Sequence, residues 1–191
     1  MPARALPYPE PTLSDGRYGL RPWAETDLDC VREASADPEI PRGTTVPATF
    51  TPDEGRAFIR RQWRRAADGA GVSQAVVDLG ADRAIGLVIV SLRPQPGVGG
   101  LGYWIVPAAR GRGAASAALR LIVPWAFRGL GLRRLEAWVD PDNHPSQQVL
   151  LRSGFQLEGR LRNFLTAEGQ PSDALVFSAI PPDPQPDRAL P

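Results

Sequence analysis

The sequence predicts one mixed α/β domain, built on a mostly antiparallel sheet with helices on both faces. Three observations lead there. Short runs rich in Val, Ile and Leu, bounded by Gly, Pro or Asp, recur through the chain and read as strands. Two longer segments carry helix start and stop signals. The order is strand, two helices, three strands, helix, strand, helix, then two or three strands, and such mixed orders fold as a sheet with helices packed around it.

The elements follow in order. Arg17 to Trp23 is a first strand. A helix starts near Thr26 or Asp27, with Leu28 and Val31 on its buried side. Thr51-Pro52-Asp53-Glu54 is a helix start, with a Thr cap, Pro at the first helical position and Glu three residues after the cap. That helix passes through Phe58, Ile59 and Trp63 and stops before Gly69. Val72 to Asp78 and Ala84 to Leu92 are strands joined by the turn Leu79 to Arg83. Gly100 to Val106 is the third of this group, ended by Pro107. A helix from about Gly113 to Arg128 is closed by Gly129 and Gly131, and Pro124 inside it predicts a kink. Arg134 to Asp140 is a strand and Pro145 to Arg152 a short helix. Phe155 to Glu158, Leu161 to Thr166 and Asp173 to Ile180 complete the sheet, the last two joined by a turn over residues 167–170.

A length of 191 residues with 42% hydrophobic content suits one domain with a substantial core. Residues 13–180 form that domain. Residues 1–12 and 181–191 are rich in proline and read as flexible arms. The formal net charge of +1 offers no global field for nucleic acid, so nucleic acid is an unlikely partner. All the basic residues are arginine, a compositional bias without functional content. One cysteine, Cys30, excludes an intrachain disulfide and suits a reducing compartment. The start lacks a signal-peptide pattern, no run reaches membrane-spanning length, and no Cys/His cluster suggests a metal. The expectation is a cytoplasmic protein without metal.

One stretch carries chemistry: Gly102-Tyr103-Trp104-Ile105-Val106-Pro107-Ala108-Ala109-Arg110-Gly111-Arg112-Gly113-Ala114-Ala115. A strand runs into a glycine-rich turn that opens a helix. Small residues let the backbone approach a ligand, and the first amides of a helix lack partners and point outward. Arg110 and Arg112 add positive charge, so a diphosphate is the natural occupant. A dinucleotide fingerprint fails because Ala stands at its third glycine, and a P-loop fails for want of Gly-Lys-Ser/Thr.

Arg110-x-x-Gly113-x-Ala115 resembles the acetyl-CoA signature of GNAT N-acetyltransferases. Asp140 to Ser146 and Gly154-Phe155-Gln156-Leu157-Glu158-Gly159 resemble the RimJ/RimL branch, which modifies the N-termini of ribosomal proteins. The resemblance spans about Arg17 to Ile180. It implies a GNAT-type sheet splayed between the strand carrying Ile105 and Val106 and the strand carrying Val139, with pantetheine in the gap. It implies that an amide near Ile105 or Val106 meets the thioester carbonyl. Amides of Arg110, Gly111, Arg112, Gly113, Ala114 and Ala115 would hold the pyrophosphate, Asn143 would bond pantetheine, and Ser146 would stand near the departing thiolate. Many relatives place a tyrosine acid seven residues after the asparagine. Here that position is Leu150, which leaves Ser146 as the substitute.

Plainer readings stand beside these. The turn can be an ordinary strand-to-helix connection. Asn143 can cap the helix opened by Pro145, and Ser146 can be a first-turn serine. Glu158 and Glu136 are candidate bases, but carboxylates at strand ends often pair with arginine. His144 reads as an exposed loop residue, and Arg60 to Arg65 as the solvated face of a helix.

The resemblance implies direct attack of a primary amine on acetyl-CoA, most readily the α-amine of a protein N-terminus. Two alternatives remain: a small amine such as an antibiotic, polyamine or amino acid, and a non-catalytic acyl-CoA-binding module. A homodimer is compatible with the sequence. Acceptor choice is expected to lie in Pro38 to Phe50, Arg93 to Gly99 and Arg160 to Pro171.

Overall fold

The computed structural model describes residues 4–167 and 170–182. An eight-stranded sheet runs through the molecule. Its strands are β1 (Leu13–Ser14), β2 (Tyr18–Arg21), β3 (Gly71–Asp78), β4 (Arg83–Leu92), β5 (Val98–Ile105), β6 (Arg134–Val139), β7 (Gln156–Ala167) and β8 (Gln170–Ala179). The spatial order is β1-β2-β3-β4-β5-β6-β8-β7. Every neighbouring pair is antiparallel except β5 and β6, which are parallel. A parallel pair needs a crossover, and the helix α4 (Ala114–Gly129) supplies it.

The remaining helices are α1 (Leu28–Ser35), α2 (Ile40–Gly43), α3 (Pro52–Ala67) and α5 (His144–Arg152). Thr51 caps α3 as expected: its hydroxyl accepts the Glu54 amide at 3.1 Å, with Pro52 in the first turn. A 3-10 turn at Glu25–Asp27 leads into α1. Asp27 fixes that entrance by accepting the Ala24 amide and both terminal nitrogens of Arg21.

Alternation along the strands sorts the side chains onto two faces. Trp104 packs near Trp23 and near Phe58 of α3, so the even-numbered residues of β5 face α3. Tyr103 hydrogen-bonds Ser146 of α5, so the odd-numbered residues face α5. Leu135, Ala137 and Val139 of β6 are buried, while Arg134, Glu136 and Trp138 alternate with them on the α3 side of the sheet.

Several boundaries differ from the sequence reading. The helical turn α2 falls in a segment expected as loop. The helix α4 continues through Pro124 as a single element, and Pro124 leaves the Arg120 carbonyl without its usual donor. The two strands expected over 155–166 are one strand, β7, whose register with β8 shifts between Leu157 and Gly159 and between Leu161 and Leu165. Asn163 carries the second shift with φ of 53°. Part of the proline-rich arm is laid on the domain: the Leu6 amide donates to the Ala66 carbonyl at 2.8 Å, and Pro9 is buried. Glu168, Gly169 and residues 183–191 lie outside the described residues, and with them the tip of the last turn and most of the second arm. Among the described residues no helix is long and apolar enough to cross a membrane.

Gly86 shows how closely β4 and β5 approach. A Cβ there would come within 2.3 Å of the Trp104 carbonyl oxygen and 2.7 Å of the Ile105 side chain. Gly86→Ala is expected to cost about 1–3 kcal/mol by overpacking. At roughly 2–4 °C per kcal/mol for a chain of this size, a thermal melt should fall by several degrees. An unchanged melt would show that β5 can shift without loss.

Candidate active site

The strands β5 and β6 remain paired only over Val98–Arg134, Gly99–Leu135 and Gly100–Glu136. Beyond Gly100 the rest of β5 stays on β4, while Ala137 to Val139 stay on β8. The sheet therefore splits in its middle, and the splay expected between these two strands is present.

The main chain of β5 decides what the split offers. In an antiparallel ladder, alternate residues turn their N–H and C=O toward the same neighbour. The Val106 amide donates to the Ile85 carbonyl at 2.9 Å. The amides of Leu101, Tyr103 and Ile105 therefore turn away from β4, toward the split. Val106 itself is committed on both sides, since its carbonyl accepts the Ala109 amide at 3.0 Å. Of the two residues expected to offer an amide here, Ile105 can do so and Val106 cannot.

Past the strand, Gly111 and Gly113 adopt φ of 74° and 84°. A Cβ at either would touch nothing within 4 Å. The requirement for glycine is thus conformational, and the space around both is open. The amides of Gly111, Arg112, Gly113, Ala114 and Ala115 have no main-chain acceptor among the described residues, so they form an arc of donors at the start of α4. Arg110 is different. Its amide donates to Pro107 at 3.2 Å, its Nε to the Ile105 carbonyl at 2.9 Å, and its Nη2 pairs with the buried Asp37 at 2.8 Å. The amide expected to meet the pyrophosphate is thus engaged, and the half-exposed Arg110 side chain braces the segment after α1 against the turn. Arg112 is exposed, and its carbonyl accepts the Tyr18 hydroxyl at 3.0 Å.

Across the split, Asn143 caps α5 by accepting the Ser146 amide at 3.1 Å. The capping role weighed against ligand binding is therefore occupied by its side-chain oxygen, while its side-chain nitrogen has no partner among the described residues. Ser146 lies in the first turn, and its hydroxyl stands 2.7 Å from the Tyr103 hydroxyl. Tyr103 also donates to the Ser146 carbonyl at 3.1 Å. Burial pushes the Tyr103 phenol up to about 12, partly offset by the bond to Ser146. The sequence reading passed over Tyr103. Its position on an odd register of β5 was the signal that could have found it. Leu150, in the place of the usual tyrosine, is fully buried.

The candidate bases are already engaged. Arg134 donates to both oxygens of Glu158, one at 2.9 Å, and its Nε donates to Glu136 at 2.7 Å. The Ser178 hydroxyl adds a bond to Glu158 at 2.6 Å. The Arg134 guanidinium and the Ser178 hydroxyl together hold the Glu158 carboxyl down to about 2. A carboxylate so stabilised is a poor proton acceptor near neutral pH, which counts against Glu158 as general base. His144 is exposed at the start of α5. Cys30 is buried in α1, and burial raises its thiol pKa, so it is an inert core residue. In α3, Phe58, Ile59 and Gln62 are buried and Arg60 and Arg64 exposed, as a solvated arginine face requires. Among the described residues no group of three or more His, Cys, Asp or Glu could hold a metal.

Comparison with known proteins bears on this arrangement. The family model described as "Acetyltransferase (GNAT) domain" matches residues 17–156. The L-amino acid N-acetyltransferase AaaT of Escherichia coli is 28% identical, covering 82% of this chain and 94% of its own. A putative ribosomal-protein-serine acetyltransferase from Vibrio cholerae superimposes with a TM-score of 0.78 at 25% identity, covering 92% of this chain and all of that one. RimJ of Mycobacterium smegmatis, solved in complex with CoA-disulfide, gives 0.77 at 24% identity, covering 89% and 86%.

The Arg134–Glu158 pair has a measurable consequence. Its glutamate titrates lower in the folded protein than in the unfolded chain. The pair's stabilisation is therefore complete above the ordinary glutamate pKa, near ~4.3, and is lost as pH falls through about 2. Carboxyl NMR should show Glu158 titrating near that value, and Arg134→Gln should return it toward the ordinary range. The Glu158 side chain is 42% exposed, so added salt should shrink the shift. An ordinary pKa at low salt would show the pair to be absent in solution.

Proposed function

The chain belongs to the acetyltransferase (GNAT) family and is an N-acetyltransferase; from that premise we propose that it acetylates a primary α-amine at the N-terminus of a protein, with acetyl-CoA as donor. One observation carries the reading. The strand β5 leaves β6 after Gly100 and leads directly into a turn of unpartnered amides at the start of a helix. This is a slot for an extended, hydrogen-bonding chain that ends in a polyphosphate. The likeness to a protein described as a ribosomal-protein-serine acetyltransferase supports the N-terminal acceptor. The likeness to an L-amino acid N-acetyltransferase keeps a free amino acid as the second reading.

The residues present fit the donor. The amides from Gly111 to Ala115 and the helix dipole of α4 would hold the pyrophosphate, with exposed Arg112 adding charge. The amides of Tyr103 and Ile105 and the Asn143 side-chain nitrogen line the route that pantetheine would follow. Acetyl-CoA supplies an acetyl group activated as a thioester. An amide of β5 facing the split, that of Ile105 above all, would donate to the carbonyl oxygen as it gains charge. Ser146 would donate a proton toward the sulfur that leaves. Tyr103 positions it: the phenol has one proton, and when it gives that proton to the Ser146 Oγ rather than to the Ser146 carbonyl, the serine proton is free to turn to the split.

Glu136 and Glu158 both pair with Arg134, and the low pKa of Glu158 makes it a poor base for the acceptor's proton. An α-amine, with a pKa near ~8, is partly neutral at physiological pH and needs less help than a lysine near ~10.4. The rate constant kcat/KM is therefore expected to rise with pH as the acceptor's own amine deprotonates, without a limb from Glu158. A profile that keeps the same inflection when the acceptor's amine pKa is changed would instead reveal an enzyme base.

Saturating acetyl-CoA, at about 100 times Kd, should stabilise the fold by roughly 2.7 kcal/mol. That corresponds to a rise of ~5–10 °C in a thermal melt. The decisive assay is CoA release with N-terminal peptides beside a panel of small amines. An absent thermal shift together with no release from any amine would refute the reading. Ser146→Ala should lower kcat about a hundredfold, and Tyr103→Phe about tenfold, each with the KM for acetyl-CoA nearly unchanged. A wild-type kcat in both variants would leave solvent as the proton source.

A further inference from the structure

The connection between β4 and β5 brings a guanidinium to the point where the sheet splits. Gly100 is the last residue of β5 paired with β6. The Arg93 side chain occupies the space above it, since a Cβ on Gly100 would come within 2.7 Å of the Arg93 Nη2. The same guanidinium lies over the Trp138 ring, 3.7 Å from its centroid. Phe164 meets that ring edge-on, with centroids 4.6 Å apart at 90°. A cavity of about 520 Å³ opens here, on the face opposite Tyr103 and Ser146, lined by Arg93, Arg133, Arg134, Glu136, Trp138 and Phe164 among others.

The charge in this cavity is not balanced. Arg134 is taken by Glu136 and Glu158. The side chains of Arg93 and Arg133 make no hydrogen bond or ion pair with any described residue; Glu136 acts on Arg93 only through its field, and the Arg93 Nε is buried without an acceptor. Buried donors are nearly always paired in native proteins, and the Arg93 guanidinium, which lines the cavity, has no acceptor among the described residues for any of its nitrogens. A guanidinium held by an aromatic ring is pre-organised for a planar, two-oxygen anion.

We propose that Arg93 binds a carboxylate of the acceptor, so that the amine acetylated here lies within a few bonds of a carboxylate and its carrier packs on Trp138 and Phe164. The proposal rests on the acetyl-transfer reading of the split. Two sources supply that chemistry: the α-carboxylate of a free amino acid, or the side-chain carboxylate of an Asp or Glu that opens a peptide. The arrangement also serves the reaction. Cationic neighbours disfavour the ammonium form of a nearby amine, which raises the neutral fraction where no carboxylate is free to act as base.

The test reads binding apart from turnover. Calorimetry on the full chain with saturating CoA compares L-phenylalanine with L-phenylalaninamide, and an Asp-Phe-Ala amide with its Asn-Phe-Ala counterpart; CoA release from acetyl-CoA is measured on the same compounds. In at least one pair the carboxylate should bind about tenfold or more tighter, as loss of a charge-assisted bond implies. The pair that discriminates identifies the source. Arg93→Gln should abolish the ratio while the uncharged member and acetyl-CoA bind nearly as before, and Arg93→Lys should keep part of it. Equal binding within both pairs overturns the proposal. So does an Arg93→Gln variant that weakens both members alike, because Arg93 would then only prop Trp138. Discrimination without CoA release from any amine supports the cavity and defeats the acetyl-transfer reading instead.

Discussion

The structure depends on one break in a hydrogen-bond ladder. Parallel strands β5 and β6 pair over three residues and then separate, although each continues beside its outer neighbour. Main-chain groups facing the gap forgo partners they would have in a continuous sheet, and such groups are costly wherever water cannot reach them. The sheet cannot close to recover them, because side chains hold it open. On one face Tyr103 reaches across to Ser146 at the start of α5. On the other, Arg93 and Trp138 fill the vertex above Gly100. The open ladder is thus a binding device whose cost is carried by the surrounding contacts.

The turn that follows β5 is held from outside for the same reason. Its glycines make the left-handed conformation accessible, but accessibility is not rigidity. Rigidity comes from three contacts, two of them long-range. Arg110 ties the turn to Asp37 beyond α1 and to the Ile105 carbonyl, and the Tyr18 hydroxyl holds the Arg112 carbonyl. Asp37 in turn accepts the amides of Glu39 and Ile40, which fixes the start of α2. The segment expected to influence acceptor choice, Pro38 to Phe50, is therefore coupled through one carboxylate to the turn expected to hold the donor.

What was legible in the sequence follows from which interactions are local. The Thr51 cap, the turn over Leu79 to Arg83 and the glycine-rich turn after β5 are set within a few residues, and all stood out in the sequence; the left-handed conformation of Gly111 and Gly113 did not. The sheet split was legible only through the family resemblance, since nothing in Gly100 or Glu136 alone announces an unpaired ladder. Contacts distant in sequence were not legible. Arg110 looked like a phosphate ligand because its carboxylate partner lies far away at Asp37. Glu158 looked like a base because Arg134 and Ser178 reach it only across the folded sheet. Tyr103 was passed over because its partner is on a helix that follows a crossover.

The charges around the split divide the chemistry between its two faces. On the face toward α5 the polar groups are neutral: the Tyr103 phenol, which burial keeps protonated, the Ser146 hydroxyl and the Asn143 amide. Such groups can donate to a developing negative charge without themselves changing charge, and they need no reorganisation to do so. On the face toward α3 the groups are ionic, and the Arg134 network consumes both carboxylates. A thiolate leaving on the neutral side and an amine arriving on the cationic side would each meet the environment that disfavours its wrong protonation state. On this reading the arriving amine loses its proton without a dedicated base, because of the face it meets, while the departing sulfur takes its proton from Ser146 on the other face.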